Sequence, residues 1–541
     1  MDSHSIPHSE IHGGTRLFAD YLSDYGRLSQ FYGGAPFAAS SFQEAAKAIP
    51  FDPDLRKGVV EVLREQNRRL GSSPQAMDNL ARLAEQGTVA VVTGQQASLF
   101  SGPAFCLYKG LTAVKLARRL TERGLNAVPL FWLATEDHDL DEANHCYVQD
   151  REGNPHRLQY PGEATVPNAP VGSIPFTEAI LPVLDELRAL LPESASGAEL
   201  LQNLAEFYRP GQTFGEAFGG FIARLFADFG VIMLNPMDAR LHRLSSPVFR
   251  KAIESAPQLA GDLIERGHRL IGSGYHAQVL VSEGFTLLFV YINGERRALR
   301  LREGKFVTSH GDSFSTEELL SQLERQPETI SANVLLRPIM QDALLPTVAY
   351  VGGPSELAYF AQAAAVYKPI LGRMPVVFPR ASFTLLDGAS HRLLSKYDLT
   401  LPDVFAGKQA LREKLAARYL PADLTESFRR TAAGIEENMQ AIHAALARLD
   451  PTLVDAATNS CRKMQYQLES LEHKANAAIQ KRSEQIERDA VRLENSLYPK
   501  KTPQERLYSG ITILARHSPG FLKELYDQIN LDSGEHLIGS L

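Results

Sequence analysis

The sequence predicts an α/β protein: a parallel, helix-covered sheet interrupted by inserted segments and followed by a helical arm. Three observations predict it. Residues 88–93 form an apolar, β-branched run stopped by Gly94, and a helix-spaced stretch leads from there to a second apolar run at 128–134. That β–loop–α–β succession is the unit of a parallel sheet with both faces covered. The same texture returns at 347–380, and from about residue 423 the chain changes to three/four apolar spacing that lasts to about Leu497.

Each element has a local reason. Residues 1–15 are expected to be a flexible tail, because Pro7 and the glycines at 13 and 14 oppose the helix that would align His4, His8 and His12, and no metal site is assigned there. Residues 16–150 are expected to hold N-terminal helices and the first half of the core. Ser40 or Ser41 caps one helix, and the stretch from Leu55 to Leu70 is amphipathic. Pro103 suits a helix start, Leu107, Leu111, Val114, Leu116 and Leu120 continue it, and Gly124 ends it. Residues 151–215, rich in Pro and Gly, read as an insertion. Residues 216–275 return to the core, with a helix at 218–229 and a strand at 231–234. Residues 276–330 alternate apolar and polar around Asn293-Gly294, so they read as a small antiparallel insertion. Residues 331–422 supply the second part of the core, with strands at 347–351 and 376–378. Residues 423–498 read as a pair of long antiparallel helices with a narrow apolar seam, a pattern that favours dimerisation, and 499–541 as a C-terminal segment packing on the core.

Composition narrows the function. The 541 residues correspond to about three to five domain-sized units. A net charge of −7 disfavours broad nucleic-acid binding. No run of 18 apolar residues suggests a membrane span, and the polar start does not read as a signal peptide. Three cysteines, Cys106, Cys146 and Cys461, are too far apart for a zinc knuckle or a redox pair, so a reducing cytoplasm is the expected location. Cys106, among apolar neighbours, reads as a buried inert thiol.

Three clusters carry chemistry. The first is Thr93-Gly94-Gln95-Gln96-Ala97-Ser98-Leu99-Phe100-Ser101-Gly102-Pro103, ahead of Lys109. A strand, a small-residue loop and a helix start offer free N–H groups to a carboxylate or phosphate, unless the glycines serve only a tight turn. GxxxxGK[ST], GxGxxG and GxSxG are all absent. The second is Thr135-Glu136-Asp137-His138-Asp139-Leu140-Asp141-Glu142, directly after a buried strand. Such charge density calls for an ammonium, sugar hydroxyls, Mg²⁺ or Arg partners, unless it is a solvated helix start. The flanking acids are expected to favour the charged form of His138, which can steady negative charge or move a proton. The third is Asn333, Arg337 and Gln341, then Gly352, Gly353, Glu356 and Tyr359, with Arg380 after the last strand. Arg337 can fork onto a carboxylate or make a structural ion pair, Glu356 can pair an ammonium, and Tyr359 can be a core aromatic. In parallel sheets ligands bind at the carboxyl ends of strands, where the first two clusters sit.

The motifs Val91-Val92-Thr93-Gly94-Gln95-Gln96, Ser101-Gly102-Pro103, Phe131-Trp132-Leu133-Ala134-Thr135-Glu136-Asp137-His138-Asp139-Leu140-Asp141-Glu142 and Gly352-Gly353-Pro354-Ser355-Glu356 resemble those of the bacillithiol biosynthesis cysteine-adding enzyme family. The resemblance implies a Rossmann-like core akin to the nucleotidylyl-transferase superfamily, connecting-peptide insertions, and a C-terminal coiled coil forming a homodimer. It also implies a reaction joining the carboxyl group of L-cysteine to the amine of glucosaminyl-malate. ATP is the expected activator, with Mg²⁺ if ATP is used. That superfamily carries His-x-Gly-His after its first strand, whereas residues 98–104 here hold no histidine. On this reading Gly94, Gln95, Gln96, Ser101, Gly102 and Lys109 bind an anion. Asp137, His138 and Asp139 are catalytic, holding the amine or sugar hydroxyls and moving protons, and Glu136 binds substrate. Asn333, Arg337, Gly352, Gly353, Glu356, Tyr359 and Arg380 complete substrate binding. The alternative is a nucleotidyl- or phosphoryl-transfer enzyme acting on another small substrate; a non-catalytic scaffold built on the helical arm leaves the acidic cluster unexplained.

Overall fold

The computed structural model describes residues 2–11, 14–417, 422–482, 484–517 and 520–541; His12 lies outside them. The chain forms two compact units, one of Met1–Thr384 with Glu505–Gly539, the other of Leu385–Gln504 with Ser540–Leu541.

The first unit is built on five parallel strands: β1 (Val89–Gln96), β2 (Ala127–Ala134), β3 (Ile232–Leu234), β4 (Thr347–Gly352) and β5 (Val376–Pro379). Their order is β5-β4-β1-β2-β3, a Rossmann-like arrangement. Val92 of β1 lies opposite Leu130 on one side and Tyr350 on the other, and all three are buried. Continuous apolar runs suit such strands because helices cover both faces, and each fully buried aliphatic side chain contributes about 1.5–3 kcal/mol. Helix α1 (Phe105–Glu122) joins β1 to β2, α2 (Phe214–Leu225) precedes β3, α3 (Arg337–Leu344) precedes β4, and α4 (Pro354–Ile370) joins β4 to β5. From β1 the chain proceeds to β2 on one side and is met by β4 on the other. The carboxyl ends of β1 and its neighbours therefore open the crevice of this sheet class.

The segment 276–330 holds antiparallel strand pairs and the helix Thr316–Arg325. Phe285–Ile292 and Glu295–Arg302 pair through Asn293-Gly294, both at positive φ, and Ile330–Ala332 adds to the other edge of Phe285–Ile292. Residues 151–215 hold the helices Ile180–Leu190 and Ala195–Phe207.

Two expectations are corrected. Asp2–Ile6, expected within a tail, is a strand bordering His536–Ser540, and His8 packs 5.7 Å from the His536 ring. Edge pairing uses backbone groups and needs no apolar period, so a partner about 530 residues away leaves no local sign. The helices Gly388–Tyr397 and Lys408–Ala417, assigned to the core within 331–422, belong to the second unit. Tyr397 donates to Asp489 at 2.6 Å and Arg412 to Glu487 at 2.6 Å. In that unit Ala422–Leu449 and Val454–Arg482 run as a hairpin about Pro451–Leu453.

Candidate active site

A cavity of about 820 Å³ opens at the carboxyl ends of the strands of the first unit. Its size is that of a small-molecule site. It is reached by Gly94, Gln95, Gln96 and Lys109 from β1 and α1, by Glu136, Asp137 and His138 from the end of β2, by Asn333 and Arg337 from the start of α3, and by Gly353, Glu356, Tyr359 and Arg380 from the ends of β4 and β5. The first two clusters and the third thus meet. Gly94 is required by close approach, since a Cβ there would lie 2.8 Å from the Trp132 carbonyl oxygen.

The acidic side is organised by hydrogen bonds. Asp137 accepts from the backbone N–H of His138 at 2.7 Å and from Gln96, whose amide also donates to Glu142 at 3.2 Å. Glu136 is buried and receives a hydrogen bond from His242 Nε2 at 2.9 Å. Burial alone would push the Glu136 carboxyl up, but the His242 imidazole, helped by Arg296 and Arg337, holds it below its usual range. His242 itself is disfavoured as a cation by burial, yet Glu136 and the Ile330 carbonyl raise it above the usual histidine value.

The cationic side divides into spent and available charges. Lys109, assigned to anion binding from the sequence, is buried against Glu356 at 2.8 Å and donates to the Gly94 carbonyl. Glu356 also accepts from the Gly353 N–H and the Tyr350 hydroxyl, so it is engaged internally rather than free for an ammonium. Burial pushes its carboxyl up, but Lys109 together with the Gly353 N–H and the Tyr350 hydroxyl holds it below its usual range. Arg380 lines the cavity but its guanidinium meets Glu505 at 2.7 Å, and its charge is spent there. Arg337 differs. It donates to Gln341 at 3.0 Å and Tyr359 at 3.1 Å, lies 5.8 Å from the Trp132 ring centre, and has no carboxylate within 4 Å among the described residues. Asn333 accepts from the N–H groups of Leu335 and Leu336 and so holds the turn that leads into α3.

Four predicted residues do not line the cavity. Ser101 and Gly102 lie in a loop closed by the chain's own return: the Ala104 N–H donates to Tyr508 O at 2.7 Å, the Gly510 N–H to Gly102 O at 3.1 Å, and the Ser101 and Ser509 hydroxyls meet at 3.0 Å. The N–H that the start of α1 was expected to offer an anion is thereby used. Asp139 caps Leu140–Ala143 by accepting from the Glu142 N–H at 3.0 Å. Gly352 ends β4 behind the surface.

The expected charge of His138 is also corrected. Burial and the Arg296 guanidinium lower its pKa, outweighing Asp137 and Asp139. Arg296 Nη1 donates to His138 Nδ1 at 3.1 Å. Arg296, His242 and the exposed rim residue Arg506 escaped the sequence reading. For His242 a signal existed, a lone histidine on an apolar helix face between Leu241 and Phe249. Arg296 and Arg506 carry none. Cys106 is buried, its thiol pushed up to about 12 by desolvation. Among the described residues no His/Cys/Asp/Glu group of three is arranged to hold a metal, and no helix is long and apolar enough to cross a membrane.

Against known proteins, residues 1–381 match the family described as bacillithiol biosynthesis BshC, N-terminal Rossmann-like domain, and residues 383–541 match its C-terminal coiled-coil domain. The chain belongs to the BshC family. Similar full-length relatives include a protein of Solibacter usitatus, 40% identical over 533 residues covering 98% of each chain. Another, from Koribacter versatilis, is 40% identical over 522 residues covering 96% of this chain and 97% of its own. A third, from Salinibacter ruber, is 32% identical over 542 residues covering 99% and 98%. All three bear the name "Putative cysteine ligase BshC". The BshC Rossmann-like region contains the sheet and all but one of the cavity's lining residues, the exception being Arg506.

Proposed function

We propose that this cavity forms the amide bond between the carboxyl group of L-cysteine and the amine of glucosaminyl-malate, the last step of bacillithiol biosynthesis. One observation carries the reading: a guanidinium with no carboxylate within 4 Å among the described residues, Arg337, shares a small-molecule cavity with the ionised carboxylate Glu136 and the hydrogen-bonded Asp137. The substrate brings the complement, carboxylates on malate and an amine on the sugar. Membership of the BshC family and the name borne by its relatives support the same chemistry.

A carboxylate resists amines until its oxygen becomes a leaving group. ATP, with Mg²⁺ carried on its phosphates, would supply that activation as an acyl phosphate or acyl adenylate. The amine then attacks the acyl carbon: the C–N bond forms, the C–O bond breaks, phosphate or AMP leaves, and the amine gives up one proton. Arg337 holds a carboxylate through charge-assisted hydrogen bonds, and Arg506 at the rim adds positive charge. Asp137, fixed by Gln96, accepts the amine's hydrogen bond and its proton. The return segment occupies the Ala104 N–H and the Gly102 carbonyl in the turn before α1, so nucleotide phosphates would face the guanidinium groups instead.

The chain acts as a homodimer in this proposal. Leu449, Tyr466 and Leu471 of the helical hairpin are exposed, Leu449 by 78%, and a second copy would cover them. Light scattering should give twice the chain mass, and a monomer would overturn this part. The free thiols Cys106 and Cys146 and a thiol product suit the cytoplasm.

Purified protein with cysteine, glucosaminyl-malate, ATP and Mg²⁺ should yield bacillithiol by mass spectrometry together with ADP or AMP. A deletion strain should lack the thiol and accumulate glucosaminyl-malate. No product in vitro, with normal thiol levels in the strain, overturns the proposal.

A further inference from the structure

The contact between Arg296 and His138 has a chemical consequence. Every guanidinium nitrogen of arginine is a donor or is engaged in resonance, and none accepts a hydrogen bond. Arg296 Nη1 lies 3.1 Å from His138 Nδ1, so Nδ1 receives that bond with its lone pair. A neutral imidazole then carries its single proton on Nε2. We propose that Arg296 is a positioning residue that fixes His138 in the Nε2-protonated form, so that His138 meets the acyl centre as a hydrogen-bond donor to oxygen rather than as the base for the amine.

The arginine is held against swinging away. Its Nε donates to Ser331 Oγ at 3.0 Å, its Nη2 donates to Ala332 O at 2.7 Å, and its guanidinium carbon sits 3.8 Å from the centre of the Phe289 ring. It is buried. The groups facing His138 are Arg296 and Phe289 from the antiparallel insertion, and Asp137 and Asp139 from its own loop. Asp137 Oδ1 is 3.8 Å from Nδ1, too far to draw a proton onto it, and is already bonded to the His138 N–H. Removing Arg296 removes both the donor to Nδ1 and the nearest positive charge. Amide formation develops negative charge on the acyl oxygen as the amine adds, and a fixed N–H donor is suited to that charge. No proton leaves His138 in this role, and the amine's proton goes to Asp137.

The inference rests on the ligase reading for its catalytic half, while its structural half is read without substrate. Full-length protein labelled with ¹⁵N-histidine should show, at pH 7.5, an unprotonated Nδ1 and a protonated Nε2 for the resonance that disappears in His138→Gln. The midpoint of its titration should lie below that of an ordinary histidine and rise in Arg296→Gln. Arg296→Gln should also lower kcat by about tenfold to a hundredfold with KM within about threefold, the split expected of a group that acts through the reacting centre. Arg296→Lys, which keeps a charged donor, should recover part of kcat and serves also if Arg296→Gln fails to fold. A proton on Nδ1, or a tautomer and midpoint unchanged by Arg296→Gln, overturns the inference. Wild-type protein that makes no amide while showing the Nε2-protonated ring overturns the ligase reading, and with it the donor role, but leaves Arg296's hold on the ring established.

Discussion

Two loops follow adjacent strands of the same sheet, and the sequence marks both as candidate binding loops, yet they have opposite fates. Residues 97–104 after β1 are small and glycine-containing, and they precede a helix start. Residues 135–142 after β2 are crowded with acids. The first is sealed: Tyr508 O takes the Ala104 N–H, Ser509 meets Ser101, and Tyr208 donates to the Phe100 carbonyl. The second presents Glu136, Asp137 and His138 to the cavity. A strand end in a parallel sheet is thus only an opportunity for binding. Whether the backbone donors there remain free depends on what else in the chain arrives to use them.

Substitutions can break this contrast. The largest effect is expected at Asp137. Asp137→Asn should lower turnover by about a hundredfold to a thousandfold while shifting the thermal midpoint little, because a loop facing a cavity carries function more than stability. Equal losses of activity and folding would place Asp137 in the scaffold. Next, Arg337→Met should raise KM for the carboxylate-bearing substrate by about tenfold to a hundredfold, the worth of about 1.5–3 kcal/mol for charge-assisted hydrogen bonds, as read by initial-rate kinetics. An unchanged KM would assign the guanidinium to Gln341 and Tyr359 alone.

The sealed loop should behave in the reverse manner. A Cβ on Gly510 would lie 2.6 Å from Leu107 Cδ1 and 2.9 Å from Ser101 Oγ, so Gly510→Ala should destabilise by about 1–3 kcal/mol in denaturant unfolding, with kcat changed less than about threefold. Ser101→Ala, losing the buried hydroxyl contacts to Ser509 and to the Gly102 carbonyl, should cost about 1–2 kcal/mol and leave turnover within about twofold. A collapse of activity in either variant would return the β1 loop to the site.

The return segment that closes that loop also carries a pH signature. His536 is buried between Ser382 and Thr384, and desolvation lowers its pKa to about 3; burial lowers that of His8 to about 4. Both are neutral in the fold and take a proton more readily when unfolded. Their contribution is present in full above about pH 6.5 and is lost as pH falls from there towards 4 and 3, at about 1.4 kcal/mol per pH unit for each imidazole in that window. Unfolding free energies measured between pH 8 and 4 should fall accordingly, and His536→Gln should flatten the lower part of the curve.

Sequence alone determined the elements with strong local signals. Apolar β-branched runs marked β1 and β2, Asn293-Gly294 marked the hairpin, and three/four spacing marked the helical arm, because burial on two faces, positive φ and helical periodicity each constrain neighbouring residues. The acidic motif after β2 was legible as a distinct cluster for the same reason, its charge density being local, and four of its residues, Glu136, Asp137, His138 and Glu142, line the cavity. Tertiary structure decided everything that depends on distant partners. It paired Lys109 with Glu356 and Arg380 with Glu505, left Arg337 with no carboxylate within 4 Å among the described residues, brought Arg296 from an insertion onto His138, and made Asp2–Ile6 a strand beside His536–Ser540. A charge's availability is set by what lies within about 4 Å of it in space, and separations of about 125 to 530 residues leave no periodic trace along the chain.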